Sequence, residues 1–449
     1  MGDRNGDAAH PPAGWRQTFS SLSGNRDFGL LFIGNIGFFF GMQTMIIMRG
    51  WLVVEKWENA AYLGYIMGVV AIPMLVLAPV GGVIADRVDK RKLMLVGQAS
   101  LVGTNAIISA LILTGTIEFW HLLAVSFISG SAFALNMPSR QALVAMLVPR
   151  EKLMNAIALT TAGMNASRII APPLGGVMIA TMGLGPSFVV STGFYACAFV
   201  TTMALPEMPP ERDREFSFVQ DFTNGISYMR RTPLLLGLLL FATVPMMFAL
   251  PYQTLLPLFA EDVWHVGEVG FGALQGVGGV GGLIGALIVA NLDSYPRKSR
   301  LLLGGSIAFG ACLLLFAVAP WFTLALVFMI GIGFTSMLVM TVNNTAIQMI
   351  IPDEMRGRVM SVMMMTFGLM PLGAVPASIA ADSVGVAPVV AVGAGLFMTS
   401  VLAIFAFIPS FRSLDRELQD GRERETARRA GWEGAPTGKP VSAPVANRR

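Results

Sequence analysis

Long apolar stretches separated by short polar links fill the chain between residues 28 and 409. A helix needs about 20 mostly apolar residues to cross the hydrocarbon layer of a membrane, and most of these stretches are that long. The stretches, numbered here as spans one to twelve, cover approximately residues 28–54, 61–84, 93–115, 119–146, 153–181, 186–205, 233–259, 269–292, 300–319, 321–346, 357–381 and 387–409. The pattern predicts an all-α membrane protein with twelve transmembrane helices.

Lysine and arginine gather in every second link between the spans. Basic residues follow spans two, four, six, eight and ten, whereas the alternate links contain Lys56 and no arginine, unless Arg49 near the end of span one is counted. Links on the cytoplasmic side of a membrane carry such an excess of positive charge. The distribution predicts that both termini are cytoplasmic. The polar N-terminal segment also lacks the apolar core of a cleavable signal peptide.

The spans divide into two similar halves. Residues 27–205 and 233–409 contain six spans each, and residues 148–153 before span five resemble residues 351–356 before span eleven. Parallel halves of six helices are the plan of a large group of secondary transporters. The remaining segments are a cytoplasmic N-terminal tail (1–26), a cytoplasmic linker with an amphipathic helix (206–232) and a cytoplasmic C-terminal tail (410–449).

The composition agrees with a membrane protein and argues against several kinds of site. Hydrophobic residues make up 54% of the 449 residues and charged residues only 13%, whereas soluble proteins have about 25% charged residues. The two cysteines and three histidines have no spacing that suits a metal site. No Walker-type phosphate loop is present. The sequence therefore predicts no metal, no cofactor and no nucleic-acid partner.

Span five contains a charge that must lie deep in the membrane. Arg168 falls near its middle and shares one helical face with Thr161, Asn165, Pro172 and Gly176. A guanidinium that faced lipid would cost roughly 2.5 to 17 kcal/mol, so we expect this face to contact protein or a water-filled cavity. Two interpretations stay open. Arg168 only holds helices together, or it lines a cavity and binds an anionic or polar group of a cargo.

Other polar side chains occur inside the apolar spans. They are Asn35, Gln43 and Arg49 in span one, Asn136 and Arg140 in span four, Tyr252 and Gln253 in span seven, and Asn343, Asn344 and Gln348 in span ten. Such residues often form hydrogen bonds between helices, and together they also suit a mildly polar central route. The predicted substrate pathway comprises Arg168, Asn165, Asn35, Gln43 and Gln253.

A charged motif lies in the link between spans two and three. Residues 82–92 read Gly-Val-Ile-Ala-Asp-Arg-Val-Asp-Lys-Arg-Lys, which resembles the signature of the major facilitator superfamily at the same position. Asp89 stands where that signature usually has a second glycine, as in exporters that resemble the enterobactin exporter, within the transmembrane secretion effector subgroup. The resemblance implies the major facilitator fold of twelve helices in two pseudo-symmetric halves.

The same motif predicts a cytoplasmic gate. Asp86 at the end of span two can face the positive N-terminal end of span eleven and pair with Arg356 or Arg358. Such pairing would favour the state that is closed to the cytoplasm. The predicted gate comprises Gly82, Asp86, Arg87, Arg91, Lys92, Arg356 and Arg358. The alternative is a basic loop that only sets the orientation of the protein in the membrane.

A proline- and glycine-rich run in span five resembles an antiporter motif. Residues 171–176, Ala-Pro-Pro-Leu-Gly-Gly, are similar to the Gly-Pro-x-x-Gly-Gly motif of antiporters in that superfamily, with Ala171 in place of the first glycine. Pro172, Gly175 and Gly176 carry the match, which implies efflux coupled to proton antiport. Proton carriers are usually carboxylates inside the bundle, but no span has one at its middle. The remaining candidates are a peripheral group such as Glu55, Asp86, Glu261 or Asp382, or another coupling scheme.

These observations predict a secondary active transporter of the bacterial inner membrane, not an enzyme. By resemblance it works by alternating access and exports a small amphipathic or anionic molecule, such as a siderophore or a drug. An importer or a lipid flippase on the same fold is the alternative. A polytopic membrane enzyme would need a cluster of nucleophile, base or metal ligands, which the sequence does not show. We expect a monomer whose partners are its small-molecule cargo, protons and membrane lipid.

Overall fold

The computed structural model describes residues 21, 22, 24–208, 226–292, 295, 297–408, 411, 414–416 and 418. The side chains of residues 78–87, 353, 354, 356, 357, 361, 364, 365 and 367 lie outside this description. The two predicted tails fall largely outside the described residues, as does the first part of the predicted linker helix. Residues 226–231 of that linker are helical, and Met229 among them is buried.

α-Helices joined by short turns make up nearly all of the described chain. The first six are α1 (Arg26–Trp57), α2 (Ala60–Arg87), α3 (Lys90–Leu113), α4 (Phe119–Leu147), α5 (Arg150–Met182) and α6 (Leu184–Met203). The remaining helices are α7 (Pro233–Phe248), α8 (Tyr252–Leu258), α9 (Gly267–Asn291), α10 (Lys298–Ala317), α11 (Phe322–Ile350), α12 (Asp353–Thr366), α13 (Met370–Val384) and α14 (Val386–Phe407). A π-helical turn, Phe259–Val263, continues α8, and a 3₁₀ turn, Phe367–Leu369, joins α12 to α13.

Ten segments of the described chain are long and apolar enough to cross a membrane. They are α1, most of α2 (Ala60–Leu77), α3, α4, α6, the run Pro233–Val263 that includes α7 and α8, α9, α10, α11 and α14. The protein is therefore an all-helical, multi-pass membrane protein, as the hydrophobic pattern predicts. Helix α5 and the run from α12 to α13 fall outside this set of ten, although they coincide with predicted spans five and eleven.

Local sequence signals set several helix ends. The Asp89 side chain accepts hydrogen bonds from the backbone N–H groups of Arg91 (2.8 Å) and Lys92 (3.3 Å), which caps the N-terminus of α3. Gly183 and Gly385 have φ angles of 79° and 85°, in the left-handed region that favours glycine. These two glycines make the tight turns from α5 to α6 and from α13 to α14, which are corresponding links in the two predicted halves.

Two predicted spans are interrupted helices, whereas the sequence pattern predicts continuous ones. In span seven, α7 ends at Phe248 and α8 begins at Tyr252, directly after Pro251. Span eleven changes to a 3₁₀ turn at Phe367–Leu369, just before Pro371. Proline has no backbone N–H, and its ring clashes with the carbonyl group four residues earlier, so it can interrupt a helix. The interruption in span seven positions the start of α8 in the site described below.

In the described part of the chain, two main seams join the first six helices to the later ones. Helices α1, α3, α5 and α6 pack among themselves, as do α9, α10 and α11, while α5 packs along α9 and α2 packs along α13. Small residues allow the two helices of each seam to approach closely. A Cβ at Gly272 of α9 would lie 2.6 Å from the carbonyl oxygen of Pro172, and a Cβ at Gly64 of α2 would lie 2.8 Å from the Cβ of Ser378. The seams thus hold α1–α6 against α7–α14.

Candidate functional site

A cavity of about 730 Å³ lies where α1–α4 and α6 meet α8 and α9. Most of its wall is apolar, and its methionines and phenylalanines are Met42, Met45, Met67, Met74, Met137, Phe38, Phe133 and Phe271. Sites for small molecules are typically apolar pockets of roughly 300–1,000 Å³ with a few well-placed polar groups. The volume and lining of this cavity suit a small amphipathic molecule.

Arg49 of α1 gives this wall its positive charge. Among the described residues that line the cavity, no other carries a formal charge. The Nη2 of Arg49 donates a hydrogen bond to the hydroxyl of Ser129 in α4 (2.8 Å). Its guanidinium is also within electrostatic range of the Tyr195 side chain in α6. Neighbouring helices therefore hold this half-buried charge at the surface of the cavity.

A second guanidinium lies behind the wall. Arg140 of α4 is 2% exposed, and its Nη1 donates a hydrogen bond to Oδ1 of Asn35 in α1. The Cζ of Arg140 lies 4.0 Å from the centroid of the Phe38 ring, which is a cation–π contact. The side-chain amide of Gln98 has one orientation in which both its oxygen and its nitrogen have partners. In that orientation the oxygen accepts a hydrogen bond from Nη2 of Arg140 (3.2 Å). These contacts fix Arg140 against Phe38, which itself lines the cavity.

Neither guanidinium has a carboxylate partner within the part of the chain that the structure describes. The ion pair found there joins Lys92 to Glu207 (3.7 Å), and both of its side chains are well exposed. A cation that is withdrawn from water without an opposite charge is poorly screened, so its field extends further than at the surface. The formal charge in and directly behind the described wall of the cavity is therefore positive.

Helix α8 adds neutral polar groups to the same cavity. Gln253 is half-buried and lines it, as does Thr254, which is 5% exposed. The Thr254 hydroxyl has no hydrogen-bond partner among the described residues. Both residues lie in the first turn of α8, because the interruption after Phe248 starts a new helix at Tyr252.

Arg168, the predicted cargo residue, lies outside the lining of this cavity. Its side chain is exposed, and its guanidinium is within electrostatic range of Tyr252 in α8. A Cβ at Gly279 of α9 would lie 3.0 Å from the carbonyl oxygen of Arg168, so this residue stands in the seam between α5 and α9. The interpretation of Arg168 as a cargo ligand stays a prediction.

The other predicted pathway residues have different positions. Gln253 lines the cavity, and Asn35 lies behind it, where it binds Arg140. Gln43 and Asn165 are half-buried and lie outside the cavity lining. The structure thus brings two of the five predicted residues to the cavity, and the role of each in transport stays a prediction.

The predicted cytoplasmic gate is described only in part. The side chains of Gly82, Asp86, Arg87 and Arg356 lie outside the described residues. Arg358 is half-buried and donates a hydrogen bond to the sulfur of Met355 (3.6 Å). The pairing of Asp86 with either arginine therefore stays a prediction.

Two predicted gate residues at the start of α3, Arg91 and Lys92, contact the end of α6 and the chain that follows it. Arg91 donates hydrogen bonds to the carbonyl oxygens of Thr202 (3.3 Å) and Met203 (2.6 Å). Cations favour the C-terminal end of a helix because its last carbonyl groups carry partial negative charge. Lys92 forms the ion pair with Glu207. The Arg91 contacts lie within the first predicted half, whereas the Lys92 ion pair joins that half to the start of the predicted linker.

The antiporter-like run of α5 forms helix contacts. Pro172, Gly175 and Gly176 are buried, and the prolines lie inside a continuous helix. A Cβ at Gly176 would collide with the backbone carbonyl of Glu268 in α9, and one at Gly175 would lie 3.4 Å from the Cβ of Ile47 in α1. The run therefore lets α5 approach two helices closely.

Carboxylates gather in a second pocket, of about 700 Å³, where α1 and α5 end and α9 begins. Its acidic residues are Glu55, Glu58, Glu261, Asp262 and Glu268. Glu55 and Glu261 are two of the peripheral groups considered for proton coupling. Asp382, a third, accepts hydrogen bonds from the backbone N–H groups of Ala60 (2.6 Å) and Ala61 (3.1 Å) at the start of α2. Their role in proton coupling stays a prediction.

Arg49 and Thr254 are missing from the predicted pathway, although both line the cavity. In the sequence, Arg49 lies near the end of span one, where a long cationic side chain can reach the polar surface of the membrane. Its position therefore does not mark it as a charge of the interior. One signal could have indicated α8, because Pro251 interrupts span seven, and interrupted apolar segments often carry the binding sites of transporters.

Helices that cross the membrane, a cavity that they enclose and a charge in its wall are the features of a membrane transport protein. The chain matches the family model described as transmembrane secretion effector, within the major facilitator superfamily, over residues 17–427. The chain therefore belongs to this family. The match confirms the resemblance that the motif between spans two and three indicates.

Several curated relatives are similar to this chain at low identity. The staphyloferrin A transporter of Staphylococcus aureus is 26% identical, over 84% of this chain and 94% of its own length. Macrolide efflux protein A of Streptococcus pyogenes is 24% identical, over 74% and 84%. The enterobactin exporter of Shigella flexneri is 27% identical, over 64% and 68%. The family and these relatives are membrane transporters, so the protein is a transporter and not an enzyme.

The fold is similar to that of solved transporters. A crystal structure of the nucleoside transporter NupG superposes with a TM-score of 0.69 and 13% sequence identity, over 85% of this chain and all of that chain (100%). At this identity the likeness concerns the fold alone. The protein therefore has an all-helical fold like those of solved transporters, and the layout of twelve helices in two pseudo-symmetric halves stays a prediction.

Proposed function

We propose that this protein is a secondary active transporter that exports a small amphipathic or anionic molecule from the bacterial cytoplasm. The observation that carries the proposal is the apolar cavity of about 730 Å³ with a guanidinium in its wall. The relatives named for the export of enterobactin and the efflux of macrolides support the direction of transport. Siderophore-like compounds and drugs are the proposed classes of cargo.

In this proposal, two six-helix halves rock about the cavity by alternating access. Helix α5 and the run from α12 to α13 also cross the membrane, which gives twelve spans and makes residues 27–205 and 233–409 the two halves. The packing of α5 on α9 and of α2 on α13 supports this division, because these are the main seams between the two sets of helices. The basic links support cytoplasmic termini in the inner membrane. The protein acts as a monomer.

Proton antiport supplies the energy. The antiporter-like run around Pro172 and Gly176 supports this coupling. Glu55 and Glu261 are the proposed proton carriers, because they share one pocket between the ends of α1, α5 and α9, where relative movement of the two halves would change their surroundings.

Cells with and without the protein test the proposal. Mass spectrometry compares the small molecules in the cytoplasm and in the medium, with and without a protonophore. We expect at least one amphipathic compound to be depleted from the cells and enriched in the medium only when the protein is present. This difference should collapse when the protonophore is added. Export that survives the protonophore would refute proton coupling, and the same metabolite profile with and without the protein would refute export.

Import and lipid flipping are the alternatives on the same fold, and membrane vesicles separate them from export. An exporter accumulates the compound identified in cells inside inverted vesicles. An importer accumulates it inside right-side-out vesicles. A flippase would instead move a fluorescent phospholipid between the leaflets of proteoliposomes.

A further inference from the structure

The cavity wall brings together a cation of α1 and an unpartnered hydroxyl of α8. Arg49 and Thr254 both line the cavity, and the helices that carry them pack together. Helices α1 and α8 approach closely at Gly50, where a Cβ would lie 3.4 Å from the Cγ of Pro257 in α8. The same Cβ would lie 3.2 Å from the ring of Phe271 in α9. Thr254 precedes Pro257 by three residues, so the two share a face of α8. Arg49 and Thr254 therefore border one contact between α1 and α8.

These two side chains have unused hydrogen-bond donors. A guanidinium carries five N–H donors, and the hydrogen bond from Arg49 to Ser129 accounts for one of them. Thr254 is almost fully buried, and its hydroxyl lacks a partner among the described residues. Polar groups that are buried in this way usually have a partner. A bound anion would supply one, because its oxygens accept hydrogen bonds from the guanidinium and, once the Thr254 side chain turns toward the cavity that it lines, from its hydroxyl.

The described lining contains no carboxylate that could take the place of such an anion. Arg140 lies behind the wall and adds a second positive charge that neutral groups surround. The methionines of the wall are flexible and polarisable, so they adapt to apolar bodies of varied shape. The cavity thus combines selection by charge at one point with tolerance of shape elsewhere.

We propose that Arg49 and Thr254 form a subsite for an oxyanion of the cargo, a carboxylate or a sulfonate, whose apolar body lies against the methionines. The inference rests on the transport function proposed above and adds the chemical class of the cargo. Charge-assisted hydrogen bonds from a guanidinium are the strongest available to an oxyanion. The subsite therefore selects an amphipathic anion over a neutral molecule with the same apolar body.

A pair of fluorescent probes tests the subsite. 8-Anilino-1-naphthalenesulfonate and N-phenyl-1-naphthylamine share one aromatic body, and only the first has a sulfonate. Both are titrated against the full-length protein in nanodiscs of zwitterionic lipid, with empty nanodiscs as background. Arg49→Gln should weaken the sulfonate probe by about 10- to 100-fold, as expected for the loss of hydrogen bonds to a charged group. It should leave the neutral probe nearly unchanged.

Two further variants keep the test decisive if Arg49→Gln folds poorly. Thr254→Val preserves the shape of the side chain and removes the hydroxyl, so it should weaken only the sulfonate probe, by roughly 3- to 10-fold. Lys56→Gln is the matched control, because it removes a positive charge from the same helix outside the cavity lining. It should change neither probe.

The proposal is overturned if the wild-type protein shows no saturable binding of the sulfonate probe. It is also overturned if a correctly folded Arg49→Gln or Thr254→Val protein binds both probes more weakly by the same factor, or binds neither more weakly. The same holds if Lys56→Gln has the same effect as Arg49→Gln. Probe binding is measured without transport. A failed subsite would therefore leave the export function standing, whereas absence of export in cells would leave the subsite intact.

Discussion

The interior arginines differ in what surrounds their charge. Arg140 is enclosed by Asn35, Gln98 and the Phe38 ring, all of them neutral. Arg49 stands at the cavity surface and contacts Ser129. Neutral partners satisfy hydrogen bonds but do not cancel the charge, so the first six helices keep an excess of positive charge beside the cavity. This excess is the physical reason to expect an anionic cargo.

Arg168 allows a direct test of the predicted pathway. Arg168→Ala removes an exposed guanidinium within electrostatic range of Tyr252. If this group binds the cargo, export should fall by about tenfold or more, the effect of losing one hydrogen bond to a charged group. Arg150→Ala, at the exposed start of the same helix, should export normally. Export by both variants is measured in inverted vesicles at equal protein content.

Insertion of the Arg168→Ala protein into the membrane must be normal for this comparison, and immunoblots of the membrane fraction establish it. Arg168→Lys keeps the charge without the planar fork of donors, so partial export is expected. A wild-type rate in the Arg168→Ala protein would show that this arginine only joins helices.

The sequence predicted the cavity only in part, for reasons visible at single residues. Gln253 is found in the wall and Asn35 directly behind it. Arg168 is a predicted cargo residue because it lies at the middle of a span. The charge that lines the cavity is instead Arg49, close to the end of a span. Distance along a helix does not show which face meets a cavity. That depends on the helices that pack around it.

Helix positions were far more predictable than helix continuity. The need to satisfy every backbone polar group inside a membrane makes a long apolar stretch a helix. Proline content does not show where such a helix breaks. Pro138 in α4 and Pro172 in α5 lie inside continuous helices. Pro251, by contrast, lies in the break between α7 and α8, and Pro371 closely follows the 3₁₀ turn. Surrounding helices decide whether the freed carbonyl groups find other partners, and a single sequence does not reveal them.

The seam between α5 and α9 depends on glycine. Gly272→Ala would place a Cβ 2.6 Å from the carbonyl oxygen of Pro172 and 3.1 Å from the Cα of Pro173. These are backbone atoms, so α5 and α9 would have to separate. Overpacking of this kind costs about 1–3 kcal/mol, and we expect a lower midpoint of thermal unfolding, followed by tryptophan fluorescence of the purified protein.

Gly304→Ala is the matched control for this prediction. A Cβ at Gly304 in α10 would meet no described atom within 4 Å. Alanine is favoured over glycine inside a helix by roughly 0.5–1 kcal/mol, so this variant should be as stable as the wild-type protein or more stable. Equal midpoints for Gly272→Ala and Gly304→Ala would show that the seam is not tightly packed.

The second seam, between α2 and α13, has a cap that joins the two helices. Asp382 near the end of α13 accepts hydrogen bonds from the first two N–H groups of α2, at Ala60 and Ala61. Loss of a capping side chain costs about 0.5–2 kcal/mol. Asp382→Ala should therefore shift the population toward states in which these helix ends are apart. Asp382→Asn keeps an oxygen acceptor and should shift it less.

Pulsed electron spin resonance measures this shift. Spin labels at Glu58 and Val384, beside the two helix ends, report their separation in a protein whose Cys197 and Cys312 are replaced by serine. Asp382→Ala should add a longer distance to the distribution, and Asp382→Asn should resemble the parent protein. Identical distributions for all three proteins would show that the cap does not hold the seam.

For the whole molecule, the important feature is that both seams are tight at the same end. The cap of Asp382 on α2 lies there, and so does the contact of Gly176 with Glu268 at the start of α9. In the proposed orientation this end faces outward, so these contacts join the two sets of helices on the outer side of the molecule. Alternating access would require both seams to open together.

The number of spans decides whether this orientation is right, and labelling of single cysteines tests it. If α5 and the α12–α13 run both cross the membrane, positions Met182 and Val384, which are 43% and 59% exposed, lie on the outer side. If α5 does not cross the membrane, Met182 lies inside, whether or not the α12–α13 run crosses. If only the α12–α13 run fails to cross, Val384 lies inside. A membrane-impermeant maleimide on intact spheroplasts should therefore label both positions. Two positions are controls: Trp120 lies outside in every scheme, and Lys92 lies inside in every scheme. Labelling of Met182 or Val384 only in inverted vesicles would contradict twelve spans.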